Sequence, residues 1–330
     1  MLQLKNNTPF SAAFALFPNE QAVDTLYTIV KATFKIGQQW TLVGKQLEPQ
    51  KEDIFWGEPG KSSVRLASDY HTGKATTDII MTGAACAPEK QQVRQMEVSL
   101  RVGSVSKKIR VFGDRQWNQG MITTPELFST MPLVYERAFG GVDLVEEKVC
   151  SAEERNPVGT GFAGKKSQSD MNGIALPNLE CPNQFIQYHD DIPMPACFGS
   201  IASHWSQRSA LAGTYDELWQ QTRAPYLPED YSPRFLNSAH PDLIYPEFLQ
   251  GGEPVNIVGM HPFGELNFNL PILKLRNKIH FEDSEISFDF TLESLLLDPN
   301  QLQLSMVYRS AFACDKKALK VKHISVSMMR

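Results

Sequence analysis

Met96-Glu97-Val98-Ser99-Leu100-Arg101-Val102 is the clearest pattern in the chain, because apolar and polar residues alternate through it without a break. Such alternation predicts a β-strand with one buried face and one solvated face. Gly103-Ser104 follows, and then a second β-rich run at residues 105–113 (VSKKIRVFG). The two runs and the short connection between them predict a β-hairpin.

Further strand-like segments lie towards both ends of the chain. Residues 26–36 (LYTIVKATFKI) are β-rich, and the last quarter contains VNIVGM, LNFNLPI, ISFDFTL and LQLSMVYRS. The tail, residues 316–330 (KKALKVKHISVSMMR), is rich in lysine. We expect its strand at a sheet edge, where charged side chains block unwanted pairing.

The middle of the chain has a different composition. Residues 114–254 hold 13 of the 21 prolines and 11 of the 21 glycines, a density that disfavours long regular elements. Short helices are still expected: Thr214 and Glu217 have the spacing of a capping box, and residues 200–212 could form another helix that ends at Gly213.

These observations predict a mainly β (α+β) protein with antiparallel sheets built from the N- and C-terminal thirds. We expect one unit over residues 1–330, with strand-rich parts at 1–113 and 255–330. Between them, residues 114–254 form a loop-rich insert with short helices.

Charge and cysteine content narrow the function classes. Lys and Arg total 32 against 37 Asp and Glu, a formal net charge of −5, so the chain lacks the positive surplus that nucleic-acid binding needs. Five cysteines with no C-x-x-C pair indicate free thiols in a reducing compartment. No run approaches the roughly 18 apolar residues of a membrane span. We expect a cytoplasmic protein that binds neither nucleic acid nor membrane.

Three short motifs are candidate sites of chemistry. Gly159-Thr160-Gly161-Phe162-Ala163-Gly164 matches G-x-G-x-x-G, but no hydrophobic strand precedes it and no helix pattern follows, so a glycine-rich loop is favoured over a dinucleotide site. Cys197 and His204 could form a nucleophile pair, although a buried structural cysteine is favoured. His189-Asp190-Asp191 could touch a cation, but an exposed loop is favoured. We therefore predict no catalytic residues, no cofactor and no metal.

Carboxylates of the middle segment leave one enzymatic alternative open. A glycoside hydrolase needs two carboxyl groups at a set spatial separation, which sequence spacing does not reveal. An arginine directly follows two of the carboxylates, in Asp114-Arg115 and Glu136-Arg137. Such pairing lowers an acid's pKa and favours a structural role. The candidate carboxylates are Asp114, Glu136, Glu180, Asp216 and Glu253.

Seven ordered motifs resemble a bacterial family of unknown function (domain of unknown function 2169) that occurs in type VI secretion gene clusters. They are SSVRLASDYHTGKATTDIIMTGAACAP (62–88), VFGDRQW (111–117), MPLVYERAFGG (131–141), NPVGTGF (156–162), LPNLE (176–180), FGSIASHWSQRSALAGTYDELWQQTRAPYLPEDYSPRFLN (198–237) and LQGGEPVNIVGMHPFGELNFNLP (249–271).

The resemblance implies a non-catalytic adaptor or chaperone. Members of that family are understood to bind a toxin effector, often one with a PAAR-type spike-tip region, and to help load it onto a VgrG spike. The residues that recur in its motifs, and that we take as candidate partner-binding or motif residues, are Asp114, Arg115, Trp117, Arg137, Asn156, Glu180, Trp205, Arg208, Tyr215, Asp216 and Trp219. We expect the Trp205–Trp219 segment to be structural first and recognitional second.

Two alternatives to the adaptor hypothesis remain at this point. One is a carbohydrate-active hydrolase that uses carboxylates of residues 114–254, which a deep cleft with a raised carboxyl pKa would favour. The other is a structural component of the secretion apparatus.

Overall fold

The computed structural model describes residues 2–37, 39–145, 148–262 and 264–329, which form a mainly β structure. The strands of these residues are β1 (Gln3–Asn6), β2 (Ser11–Pro18), β3 (Asp24–Lys35), β4 (Thr41–Leu42), β5 (Ile54–Phe55), β6 (Val64–Leu66), β7 (Asp78–Met81), β8 (Ala84–Cys86), β9 (Gln95–Val102), β10 (Val105–Phe112), β11 (Trp117–Asn118), β12 (Met121–Ile122), β13 (Thr130–Pro132), β14 (Phe139–Gly140), β15 (Val142–Val145), β16 (Lys148–Ala152), β17 (Thr160–Gly161), β18 (Leu179–Glu180), β19 (Pro254–His261), β20 (Gly264–Asn269), β21 (Leu275–His280), β22 (Glu285–Asp289), β23 (Thr291–Asp298), β24 (Gln303–Ala313) and β25 (His323–Met328).

Helices are few and short in the described residues. The two α-helices are α1 (Ser206–Ser209) and α2 (Glu217–Thr222). The 3₁₀-helices span Pro88–Lys90, Tyr135–Arg137, Pro233–Leu236, Pro241–Leu243 and Asp315–Lys320. None of the helices in this part of the chain is long and apolar enough to cross a membrane.

The predicted hairpin is confirmed as β9 and β10. Val102 pairs with Val105 across the two-residue turn, and Gly103 at φ +53° supplies the left-handed conformation that this turn needs. Val98 and Leu100 are completely buried, as the alternation predicted. β10 holds one exception, because Lys107 occupies a buried position in the same row as the apolar residues.

Three sheets carry the fold. A five-stranded sheet has the order β18-β10-β9-β19-β20, and a four-stranded sheet has the order β1-β25-β21-β22. A six-stranded sheet has the order β2-β3-β24-β23-β7, with β4 added beside β3. Most pairs are antiparallel, as predicted, but β7 pairs with β23 in parallel and β1 pairs with β25 in parallel.

Strand β3 is covered on both faces. Val30, Ala32 and Phe34 face the main apolar cluster, while Lys31 on the other face is only 2% exposed. The segment between Asp69 and Asp78 covers that second face, since Lys31 Nζ lies 3.0 Å from Asp69 Oδ2. A strand in this position has no solvated side, which is why its polar residues Lys31 and Thr33 are buried.

The covered face holds a buried charge network, defined as Lys31, Asp69, Lys74, Asp78, Glu293 and Arg309. Its ion pairs are Lys31–Asp69 at 3.0 Å, Lys74–Asp78 at 2.6 Å and Arg309–Glu293 at 2.6 Å. Asp78 is completely buried and also accepts hydrogen bonds from Asn237 Nδ2 at 2.8 Å and Ser238 N at 2.7 Å. The network thus joins the six-stranded sheet to the middle segment.

The edge position predicted for the lysine-rich tail is wrong. β25 lies between β1 and β21, and its Ile324 and Val326 are completely buried. The 3₁₀-helix Asp315–Lys320 contains three of the lysines, and Lys322 precedes the strand. Arg330 lies outside the described residues.

The helices predicted for the middle segment are shorter or start elsewhere. Residues 200–212 contain only the four-residue α1. The capping box is wrong: Asp216, rather than Thr214, is the N-cap of α2 and accepts a hydrogen bond from Trp219 N at 2.9 Å. Thr214 instead donates its hydroxyl to Asp230 at 2.7 Å.

One large cluster of buried apolar residues draws on all three segments of the chain. Val30 and Leu100 from the first segment, Trp205 from the middle and Leu304 from the last segment all belong to it. The middle segment therefore contributes to the main core even though its regular elements are short.

Candidate docking surface

The eleven residues that the family resemblance singles out divide into a buried group and a more exposed group. The buried group is Arg115, Trp117, Asn156, Glu180, Trp205 and Arg208. The partly or fully exposed group is Asp114, Arg137, Tyr215, Asp216 and Trp219. The residues of the buried group make contacts within the fold, so the more exposed group is the better candidate for docking a partner.

Two ion pairs fasten the loops around β18. Buried Arg115 pairs with buried Glu180, and Glu180 also accepts a hydrogen bond from Ile186 N at 3.1 Å. Arg137 pairs with Asp114 at 3.3 Å. The pairing of sequence neighbours expected from Asp114-Arg115 and Glu136-Arg137 is therefore wrong, because each arginine reaches a carboxylate in another loop.

Asn156 and Trp205 hold the middle segment by other contacts. The Asn156 Nδ2 group donates hydrogen bonds to Tyr135 O at 2.8 Å and Phe139 O at 2.9 Å. The ring of Trp205 meets that of Tyr135 edge-on, with centroids 5.1 Å apart. Both side chains are almost fully buried, so they stabilise loops that have no ladder hydrogen bonds of their own.

The candidate carboxylates are each engaged in a separate local contact. Glu136 accepts hydrogen bonds from Ser63 N and Ser63 Oγ, both at 2.7 Å, and Glu253 accepts them from the backbone N–H groups of Gln250 and Gly251. Asp216 caps α2. Burial raises the pKa of Glu180, and its charged partner Arg115 offsets only part of that shift. These contacts are those of loop anchors.

Cys197 and His204 are not arranged as a nucleophile and its base. Cys197 is completely buried and donates a weak hydrogen bond to Leu133 O at 3.4 Å, while His204 is exposed. Burial raises the pKa of Cys197 to about 12. The thiol therefore stays protonated near neutral pH, which is the opposite of what an attacking cysteine requires.

The glycines of residues 159–164 allow close approach of backbone to backbone. Thr160 and Gly161 form β17 beside β14, and a Cβ at Gly159 would lie 2.7 Å from Gly140 Cα.

His189 Nδ1 lies 3.8 Å from Asp190 Oδ1. Among the described residues there is no group of three His, Cys, Asp or Glu side chains placed to hold a metal ion.

A buried lysine, missed by sequence reasoning, joins β10 to the 3₁₀-helix Pro241–Leu243. Lys107 Nζ lies 2.8 Å from Asp242 Oδ2 and 3.2 Å from His240 Nε2. Burial and the charge of Lys107 together lower the pKa of His240 to about 4. His240 is thus neutral at physiological pH, which allows its ring nitrogen to accept a hydrogen bond from the lysine.

Exposed and half-buried aromatic side chains gather around α2. This aromatic patch is defined as Tyr215, Leu218, Trp219 and Tyr226. The Tyr215 and Trp219 ring centroids are 4.8 Å apart, and Trp219 Nε1 donates to Tyr226 O at 2.8 Å. Leu218 is 66% exposed and Tyr215 is 54% exposed.

The patch is held in place at its base. Arg223 donates hydrogen bonds to Glu20 O at 2.7 Å and Leu227 O at 2.9 Å, which tie α2 to the loop before β3. Gly213 lies at φ +81°, and a Cβ there would lie 2.9 Å from Pro228 Cβ. These contacts order the segment while α2 itself buries no side chain.

The segment that carries the patch is acidic. Residues 213–232 contain Asp216, Glu217, Glu229 and Asp230 but only one basic residue, Arg223. An ordered apolar surface with a charged rim has the composition of a protein-binding site, because aromatic anchors supply affinity and rim charges select the partner.

The expectation that the Trp205–Trp219 segment is structural first and recognitional second stays a prediction, but the structure divides the segment by burial. Trp205 is 1% exposed and Arg208 is 8% exposed, whereas Tyr215 and Asp216 are exposed and Trp219 is half-buried. The tryptophan pattern alone did not distinguish the two, because aromatic residues serve both cores and interfaces.

Fold and surface together define a mainly β protein with an ordered, exposed aromatic patch. Comparison with known families places it further: the chain belongs to a family of uncharacterised proteins conserved in bacteria (DUF2169), whose profile matches residues 21–309. No curated protein matches the chain. No solved structure matches it either.

Proposed function

We propose that this chain is a non-catalytic cytoplasmic adaptor that binds a type VI secretion effector and helps load it onto its cognate VgrG spike. The proposal starts from the motif resemblance given above. The structural observation that supports it is the aromatic patch, which presents Tyr215, Leu218 and Tyr226 to solvent on an anchored segment. Family membership is consistent with this proposal but assigns no function.

The patch supplies the physical means for such binding. Large aromatic side chains lose little conformational entropy on binding and account for a large share of the energy in many interfaces. Because Arg223 and the Thr214–Asp230 contact already order the segment, docking would require little further ordering. The acidic rim favours a partner surface with basic residues around an apolar pocket.

Binding is tested by co-expressing the full chain with the effector encoded beside it, followed by size-exclusion chromatography. We expect one co-eluting peak at micromolar protein and moderate salt. Tyr215→Ala and Leu218→Ala should weaken the complex, whereas Trp56→Ala, which removes another exposed aromatic side chain, should not. Two separate peaks for the wild-type pair would contradict the adaptor proposal.

Loading is tested in the bacterium. Deleting the gene should abolish secretion of the cognate effector while other effectors are still secreted, and the adaptor itself should stay in the cells. Loss of all secretion, or release of the chain with the spike, would instead favour a structural component of the apparatus.

A further inference from the structure

A cavity of about 390 Å³ lies where the loop before β7 meets α1 and the residues from 234 to 246. Its volume falls in the range of about 300–1,000 Å³ that is typical of small-ligand sites. Its polar side is formed by Arg208, Arg234, Gln207 and Asn237. It is separate from the aromatic patch, with which it shares no residue.

Arg208 is a buried cation that has no carboxylate partner in the part of the chain that the structure describes. The side chain is 8% exposed, and its guanidinium donates to two backbone carbonyls, from Nε to Phe235 O at 2.9 Å and from Nη1 to Ile201 O at 2.8 Å. Burial lowers the pKa of Arg208, although the guanidinium remains protonated at neutral pH.

Charge in this cavity is unbalanced. Arg234 also lines it, is exposed, and forms no ion pair in the part of the chain that the structure describes. No residue that lines the cavity is acidic. The nearby carboxylate of Asp78 is already bound by Lys74, Asn237 and Ser238. A protein with a net charge of −5 thus places two arginines around one concave site.

The other side chains that line the cavity limit the chemical class of its ligand. The apolar wall includes Ile201, Leu211 and Ile244, which suits a branched aliphatic group. Gln207 Oε1 and Asn237 Oδ1 are buried acceptors without a hydrogen-bond partner among the described residues. Buried oxygen acceptors disfavour a multiply charged phosphate, and they can also accept a hydrogen bond from an N–H group where the ligand carries one.

We propose that this cavity binds a carboxylate that carries a small branched apolar side chain, with Arg208 and Arg234 as its two cationic donors. A free branched-chain acid and the C-terminal leucine of a peptide both offer this chemistry. The proposal does not depend on the adaptor function, because the cavity and the aromatic patch are different surfaces.

The test is calorimetric titration of the full chain with four probes: isocaproate, its neutral amide isocaproamide, acetyl-glycyl-leucine, and the same dipeptide amidated at its C-terminus. We expect at least one acid to bind saturably and its amide to bind about tenfold more weakly or worse, since charge-assisted hydrogen bonds are lost. Binding of isocaproate assigns a small-molecule site, whereas binding of the dipeptide acid alone assigns a peptide terminus. Failure of both acids, or equal binding of acid and amide, overturns the proposal.

Variants locate the binding in this cavity. Arg234→Gln changes an exposed side chain, so the chain should fold normally and bind the acid about tenfold more weakly. Arg101→Gln, at an exposed arginine of β9 outside the cavity, should bind like wild type. Arg208→Gln also removes two hydrogen bonds of the fold, and for that reason Arg234→Gln carries the test. Unchanged affinity in Arg234→Gln, or tighter binding of inorganic phosphate than of either acid, overturns the proposal.

Discussion

The buried charge network places charged side chains in the interior, whereas the aromatic patch places large apolar side chains at the surface. Both are the reverse of the usual distribution. In the network, six charged residues are 7% exposed or less, whereas in the patch Leu218 is 66% exposed. A buried charge that loses its partner remains desolvated, so a substitution in the network should lower the free energy of unfolding. An exposed aromatic side chain has few packing contacts within the fold, so a substitution in the patch should mainly lower the affinity for a partner.

The largest expected effect is that of removing Asp78. Asp78→Ala leaves Lys74 buried without its carboxylate and leaves the Asn237 and Ser238 donors unpaired, which should cost about 3–5 kcal/mol of unfolding free energy. Urea unfolding measures the loss. Glu58→Ala is the matched control, because the Lys61–Glu58 pair is well exposed and should cost less than about 1 kcal/mol. Similar losses in the two variants would contradict the structural role of the network.

Trp205 in the core and Trp219 in the aromatic patch allow the same comparison between two residues of one type. Trp205→Ala empties a fully buried site and should cost about 3–5 kcal/mol of stability. Trp219→Ala should cost about 1 kcal/mol of stability but about 2 kcal/mol of effector-binding free energy. Thermal melting and titration with the effector, on both variants, measure the two quantities. If Trp219→Ala destabilised the chain as much as Trp205→Ala, the patch would belong to the core.

A third expected effect concerns pH and the buried lysine site. His240 has a pKa of about 4 in the folded chain against about 6.5 when unfolded. The unfolded state therefore binds more protons in this window, and stability falls as pH drops from 6.5 towards 4. His240 alone should remove about 2 kcal/mol between pH 8 and pH 5.

The measurement is urea unfolding at several pH values for wild type and His240→Gln. The variant should lose stability less steeply on acidification, because glutamine does not titrate. Comparing slopes isolates His240 from other groups, among them Glu180, whose pKa is raised and which acts in the opposite direction. Equal slopes would show that His240 titrates alike in both states.

The smallest expected effect concerns the base of the aromatic patch. Asp216→Ala removes the N-cap of α2 and should weaken that helix by about 1 kcal/mol, with global stability nearly unchanged since α2 buries no side chain. Hydrogen exchange of the Trp219 amide reports the local loss. Glu217→Ala should leave this amide protected, and equal loss of protection in both variants would contradict the assignment of Asp216 as the N-cap of α2.

Local patterns of the sequence were sufficient for some strands. The β9–β10 hairpin follows from alternation and a two-residue connection, both of which act over short distances along the chain. The β-rich composition of residues 26–36 likewise predicted β3. Both predictions rest on residues close together in the chain, but the equally local Thr214–Glu217 capping box was wrong, because Thr214 bonds to Asp230 instead.

Contacts between distant parts of the chain could not be read in the same way. Arg115 pairs with Glu180 across 65 residues rather than with adjacent Asp114. The internal position of β25 depends on parallel pairing with β1 from the opposite end. Lys107 breaks the apolar row of β10 because Asp242 comes to it from 135 residues away. No local periodicity carries such information.

The pairing of β3 with β24 has a consequence for the order of folding events. Thr33 and Ser305 share a hydrogen bond although 272 residues separate them, so the central ladder of the six-stranded sheet cannot form until the last strands have been synthesised. During translation one edge of β3 stays without its partner strand, and unpaired strand edges are prone to aggregate. Because such distant contacts also slow folding, we expect the nascent chain to depend on holdase chaperones until β24 has emerged from the ribosome.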